Sequence, residues 1–323
     1  MDTIKNFCKN SIITVILLYV LILVGGFVRI TDSGDDCPDW PKCYGGWFPP
    51  LSIEDIPEEY ISDQDTTLKL QEKVYGSWIE YFNRLVGIIL GISMLFTFYK
   101  SFYVFKYDKI IFYGSLSSLL LIIVAGWFGG QIAQSNDGIN VMHQHSVSIH
   151  LYIAILTIIS LVYTTNRGFL LLYPDSEKGA NYSNESFYIF MFILILNLLL
   201  VFSGSFIRTF IDNDLIKGWE YFKRMDYYVR ETGFIKFIHP ILGFSMLGLL
   251  GILWNHIMNI SNPSNILKML VKVLLILTGL QVIIGEGLRF NFIHESFRLY
   301  HLWISTVILG IIIIANQRIR YSK

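Results

Sequence analysis

Four polar side chains sit near the ends of long apolar runs and could do chemistry: Asn83, His150, His239 and His301. His239 is the clearest case, because no charged residue lies between Phe237 and Leu267. An ionisable group within a membrane-length apolar stretch is costly and marks function by default. Two imidazoles on separate helices at one depth can hold an iron porphyrin between them, while an apolar bundle buries the macrocycle. A proton relay is the competing chemistry, but the spans carrying these residues offer few acids or bases to continue one. A lone histidine bonding a neighbouring helix is the plainest alternative, and recurrence is what weighs against it.

The elements that must position these residues follow from composition. The chain has 323 residues, of which 53% are hydrophobic and 15% charged, too apolar for an ordinary soluble protein. Its formal net charge is zero, which argues against a nucleic-acid partner. Eight nearly uncharged runs, 11–28, 78–99, 110–136, 146–166, 186–207, 237–257, 267–288 and 299–316, predict eight spanning helices. The first lacks a small-residue cleavage signal and reads as an uncleaved helix.

Lys5 and Lys9, then Lys100, Lys106 and Lys109, then Arg318, Arg320 and Lys323 place both termini on the cytoplasmic side. The long acidic connection 31–77 falls outside. The connection 208–236 is basic yet also outside, in conflict with the rule, although its length and its own acids weaken the conflict.

The two halves of the sequence match in order. Gly25-Gly26-Phe27-Val28-Arg29 answers to Gly204-Ser205-Phe206-Ile207-Arg208, and Asn83-Arg84-Leu85-Val86-Gly87 to His239-Pro240-Ile241-Leu242-Gly243. Glycine-rich segments at 126–131 and 279–285 correspond, as do His150-Leu151 and His301-Leu302. The expectation is an all-α membrane protein of eight transmembrane helices in two tandem pseudo-symmetric four-helix bundles, residues 1–170 and 171–323. Each bundle presents two facing positions at one level, His239 and His301 in the second, Asn83 and His150 in the first.

Asparagine is a poor iron ligand. Glu80 lies one helical turn before Asn83 and reads equally as an interfacial acid paired with Arg84 or as a pocket-facing proton-transfer group. His143 shares a face with His150 and is a substitute ligand to consider, whereas His145 points elsewhere. His256 and His294 carry no special signal. Arg29 and Arg208 either snorkel to the surface or meet haem propionates. Cys37 and Cys43, in Cys-Pro-Asp-Trp-Pro-Lys-Cys, face out where oxidation is permitted, so a disulfide is favoured over a metal pair.

The segments Gly25 to Gly34, Cys37 to Cys43 and Trp78-Ile79-Glu80-Tyr81-Phe82-Asn83-Arg84, with the repeated four-helix plan, resemble the haem A synthase family of bacterial and mitochondrial membrane enzymes. The resemblance implies that the C-terminal bundle binds haem B through His239 and His301. It implies that the N-terminal bundle receives haem O at His150, Asn83 and Arg84 and oxidises one methyl to a formyl group, with Glu80 as the catalytic acid. It further implies a Cys37–Cys43 disulfide, electron flow through haem B to an external acceptor, a role in cytochrome oxidase assembly, and a bacterial-type plasma membrane in preference to the mitochondrial inner membrane. Haem O synthase and a second copy of the chain are candidate partners, beside membrane lipid. Asn83, where many relatives have histidine, and Asp35-Asp36, where small or apolar residues are usual, depart from the pattern. The alternative function is a bis-histidine haem B cytochrome or haem carrier without haem-modifying activity.

Overall fold

The structure, a computed structural model, describes residues 1–133, 141–174, 182, 184–216, 234–260, 263–290, 294 and 296–321. Eight long helices carry it: α1 (Asp2–Ile30), α2 (Thr67–Val104), α3 (Lys109–Ala133), α4 (Val141–Leu172), α5 (Asn184–Ile216), α6 (Ile235–Met258), α7 (Asn265–Arg289) and α8 (Phe297–Tyr321). All eight are long and apolar enough to cross a membrane, and the chain is a multi-pass membrane protein. A helix satisfies its backbone internally, which is why apolar runs of this length take that form in lipid.

The helices pack in two four-membered rings. In the first, α1 packs on α2, α2 on α3, α3 on α4, and α4 closes back on α1; in the second, α5, α6, α7 and α8 do the same. The rings meet through α1, α4, α5 and α8. Lipid supplies no hydrophobic force between helices, so hydroxyls and amides add specificity, at about 0.6 kcal/mol each on average. Thr14 of α1 bonds Ser93 and Thr97 of α2 at 2.7 and 2.8 Å. Ser118 and Ser160 join α3 to α4, and His256 joins Ser186 across α5 and α6 at 3.0 Å, a helix-bonding role for that histidine. At the seam, Asn166 donates to Gln317 at 2.8 Å, each sixteen residues beyond its helix's histidine. Tyr19 of α1 and Trp303 and Thr306 of α8 exchange two further seam bonds.

The second helix begins earlier than the apolar run starting at Trp78. It has 38 residues, about 57 Å at 1.5 Å per residue, well beyond a bilayer core of about 30 Å. Thr66 caps its first turn by accepting from the Lys69 amide. Lys69, Glu72 and Lys73 lower the hydropathy there without opposing helix, so the connection shortens to residues 31–66. Ile56, Leu70 and Val74 form a small core with Tyr44, Ile53 and Tyr60 that holds the connection against this overhang. Residues 217–233, which include most of the basic connection in conflict with the orientation rule, lie outside the described residues.

Candidate functional site

His239 on α6 and His301 on α8 face each other with ring centres 6.2 Å apart. An imidazole–metal bond of about 2.0 Å, plus roughly 1.1 Å from ring nitrogen to ring centre on each side, puts two rings sharing one metal about 6.2 Å apart. Ser203 sits 2.8 Å from His239 Nδ1, and its hydroxyl donates to the Leu200 carbonyl at 3.1 Å. With Nδ1–H donating to the Ser203 oxygen, the Nε2 lone pair is left for a metal, the usual second support of a ligating histidine. Gln281 donates to the His301 carbonyl at 2.7 Å and fixes the second ring's backbone.

Each imidazole lies against a glycine of the preceding helix. A Cβ at Gly204 would stand 3.1 Å from His239 Cε1, and one at Gly285 3.1 Å from His301 Cε1. A methyl there pushes the imidazole by a few tenths of an ångström, so Gly285→Ala is expected to alter the EPR spectrum of a haem held between the two imidazoles and to lower its retention. Unaltered spectra in both Gly204→Ala and Gly285→Ala would remove this seating role.

Both histidines line a cavity of ≈ 520 Å³, within the roughly 300–1,000 Å³ usual for cofactor sites. Its interior holds the buried Thr278 Oγ1 and Gln281 Oε1, neither with a protein partner. Its rim is cationic: Arg29, Arg208, Lys236, Arg289 and Arg298 line it, with Glu286 the acid, 3.4 Å from Arg289. Arg29 comes from α1, so the first ring contributes to the second ring's cavity. Among the described residues no group of three or more His, Cys, Asp or Glu could hold a metal ion, so two imidazoles need further donors. A porphyrin supplies four nitrogens in its plane, and its carboxylates suit the cationic rim, so the residues present fit a haem.

The first ring repeats the seat with different occupants. Gly129 on α3 stands opposite His150, and Gly25 on α1 opposite Asn83, with added-Cβ distances of 3.5 and 3.6 Å. His150 Nδ1 and Asn83 Oδ1 are buried and lack a protein partner. The side chains of His143 and His145 lie outside the described residues.

The disulfide loop lies over this ring. Cys37 and Cys43 are joined, which sets aside the metal-pair reading. Trp40 rests on Gly130, next to the glycine that faces His150. Glu80 is buried, and its Oε2 accepts from the Cys37 amide at 2.8 Å while Oε1 accepts from Arg84 Nε at 3.1 Å and from Nη2. Arg84 Nη1 donates to the carbonyls of Asp39 and Lys42 at 2.8 and 2.7 Å, and Nη2 to that of Cys37 at 3.2 Å. All five guanidinium donors are thus engaged within the protein.

The departure at Asp35-Asp36 gains a location. Asp36 packs against Gly76 at the top of α2, and burial, then the charges of Glu80, Asp35 and Asp32, push its carboxyl up to about 7, with Lys73 opposing. The folded loop therefore holds this proton more tightly than the unfolded chain does, and stability falls as pH rises from about 4 to about 7. Asp36→Asn is expected to raise the thermal midpoint near pH 8 and leave it unchanged near pH 4; equal effects at both pH values would refute this assignment.

Of the sequence-predicted residues, the structure brings His239 to His301 and Glu80 to Arg84 and the disulfide, and seats Asn83 and His150 against glycines. Reading the sequence gave no role to Ser203, Gln281 or Trp40, whereas the seating glycines Gly25, Gly129, Gly204 and Gly285 all fall in segments that matched in the repeat.

Residues 9–313 match the family COX15-CtaA, described as cytochrome oxidase assembly protein. The chain is 30% identical over 197 residues to the haem A synthase of Bartonella bacilliformis, covering 57% of this chain and 53% of that protein. It is 31% identical over 135 residues to the haem A synthase of Orientia tsutsugamushi, strain Ikeda, 38% and 36% of the two chains. With the haem A synthase of Ehrlichia ruminantium it shares 30% over 166 residues, 48% and 46%. The chain thus spans about half or less of the length of these curated relatives. No solved structure matches it.

Proposed function

Because this chain belongs to the COX15-CtaA family of cytochrome oxidase assembly proteins, we propose that it is a haem A synthase, oxidising a methyl group of haem O to a formyl group. The observation that carries the proposal is the facing pair His239 and His301 at 6.2 Å in a cavity with a cationic rim. In this reading residues 171–323 form the cofactor half and residues 1–170 the substrate half. A haem B between the two imidazoles would supply one-electron redox chemistry. His239 and His301 hold it, Ser203 fixes the His239 tautomer, and Arg29, Arg208, Lys236 and Arg298 meet its carboxylates, Arg29 from across the seam.

Methyl to formyl is a four-electron oxidation that adds one oxygen atom, so an electron acceptor and an oxygen source are required. In the substrate half His150 binds the substrate's iron. Glu80 and Arg84 support the reaction by holding the disulfide loop above that half, with Trp40 against Gly130 excluding water. The loop faces outward and both termini are cytoplasmic, in a bacterial-type plasma membrane.

The test is chromatography of haems extracted from the purified protein after co-expression with a haem O producer. Haem A or its hydroxylated precursor is expected. Haem B and unaltered haem O alone would favour the cytochrome or carrier reading, to which Asn83 lends its one supporting observation.

A further inference from the structure

Four matching places hold a polar side chain against a glycine of the preceding helix, and three of the four side chains are histidine. Gly129 faces His150, Gly204 faces His239 and Gly285 faces His301, in each case with Cε1 as the nearest imidazole atom. The fourth pair is Gly25 and Asn83, and Asn83 Oδ1 is the sole atom within 4 Å of where a Cβ on Gly25 would be. The seat at Asn83 has therefore kept the room that the other three give to an imidazole. Its occupant ends short of where an imidazole's outer nitrogen would reach, and an amide is a far weaker iron ligand than an imidazole.

Ring topology places the two seats of each ring alike. In the second ring α6 and α8 are each packed on α5 and α7, and their histidines meet across the ring. In the first ring α2 and α4 stand in the same relation to α1 and α3. Asn83 Oδ1 and His150 Nδ1 are both buried with no protein partner, so neither seat is used up by contacts within the protein.

Resting on the haem-binding reading of the first ring, we propose that this ring is a one-histidine counterpart of the His239–His301 site. His150 is the iron ligand on one side. Asn83 occupies the opposing seat without ligating, and leaves that face of the substrate's iron to a small exogenous ligand. The two rings share a scaffold but divide the work: the closed one carries electrons, and the open one admits a reactant.

Carbon monoxide tests this on the purified, reduced protein loaded with haem O during expression, because it binds iron only where an axial place is free. The expected result is two haems per chain, one low-spin and inert to carbon monoxide and one high-spin and reactive, so that about half of the bound haem responds. Asn83→His should convert the responding half to low-spin and abolish the response. Asn83→Ala should leave both spin state and response as they were, and the undisturbed low-spin signal of the second ring reports that either variant has folded. His150→Ala should remove the reactive haem alone. The proposal is overturned if the loaded wild-type protein is wholly low-spin, if Asn83→His still takes carbon monoxide, or if Asn83→Ala changes the spin state. Failure of the underlying reading looks different: no second haem binds in any variant and His150→Ala changes nothing.

Discussion

Replacing His239 with alanine is expected, on the haem-binding reading, to remove the low-spin haem from the purified protein, and replacing His301 to do the same. On the haem-binding reading each of the two imidazoles would supply one nitrogen to the iron, and their 6.2 Å separation leaves room for one metal between them, so neither could substitute for the other. Methyl-sized side chains open the cavity rather than close it, and Gly204 and Gly285 provide no donor. The expected effect is loss of essentially the whole bis-histidine spectrum, with the protein still inserted in the membrane, because the second ring's core of Met246, Leu250, Leu253 and Ile257 packs further along α6. His256→Ala, which breaks only a bond to Ser186, is the control and should keep its haem. Full haem content in His239→Ala would show that the ligands are elsewhere.

The second large effect is expected at Arg84. Its side chain is 11% exposed and that of Glu80 5%, so Arg84→Ala strands a buried carboxylate and takes donors from the carbonyls of Cys37, Asp39 and Lys42. Breaking a buried pair on one side costs about 3–5 kcal/mol. Lysine does not repair it, since one ammonium cannot replace a five-donor fork. Adding Glu80→Gln should recover part of the loss, because a neutral amide need not be compensated by a cation. Limited proteolysis of the loop, product yield and the low-spin spectrum together read the result: a cut loop and lost product with the second ring's haem intact. If the loop resists protease in Arg84→Ala as it does in the wild type, Arg84 does not hold it.

Much of this arrangement was legible in the sequence, and the rest was hidden for identifiable reasons. The spans could be read because lipid forces apolar length into helices, and each run falls on one observed helix, although α1 and α2 begin well before their runs and α5 ends well after its own. In α2, Lys69, Glu72 and Lys73 end the hydropathy signal while the helix continues. The His239–His301 pair came from order in the repeat, which fixes depth but not the face a helix turns inward. The Glu80–Arg84 pair could be read from their spacing of one helical turn, and the resemblance put Arg84 beside the substrate. Its further partners, the carbonyls of 37, 39 and 42, come from a loop whose path no periodicity encodes. The seating glycines were visible as matches, but glycine is common in membrane helices, so only proximity to the rings gave them meaning. Arg29's place in the second cavity depends on α1 packing against α8, a contact between the first and eighth helices that local pattern does not reveal.

That same contact has a consequence in the order of biogenesis. The second ring's cavity draws residues from α1, α4 and α5 through α8, and its two histidines lie on α6 and α8. As the chain emerges from the ribosome, Arg29 is in place early and waits while six helices are inserted between it and α8. A nascent chain stopped after α7 would hold one imidazole and an unfinished rim. Cofactor capture by both histidines is therefore confined to the time after the eighth helix has entered the membrane, and a haem supplied earlier would meet a half-built site.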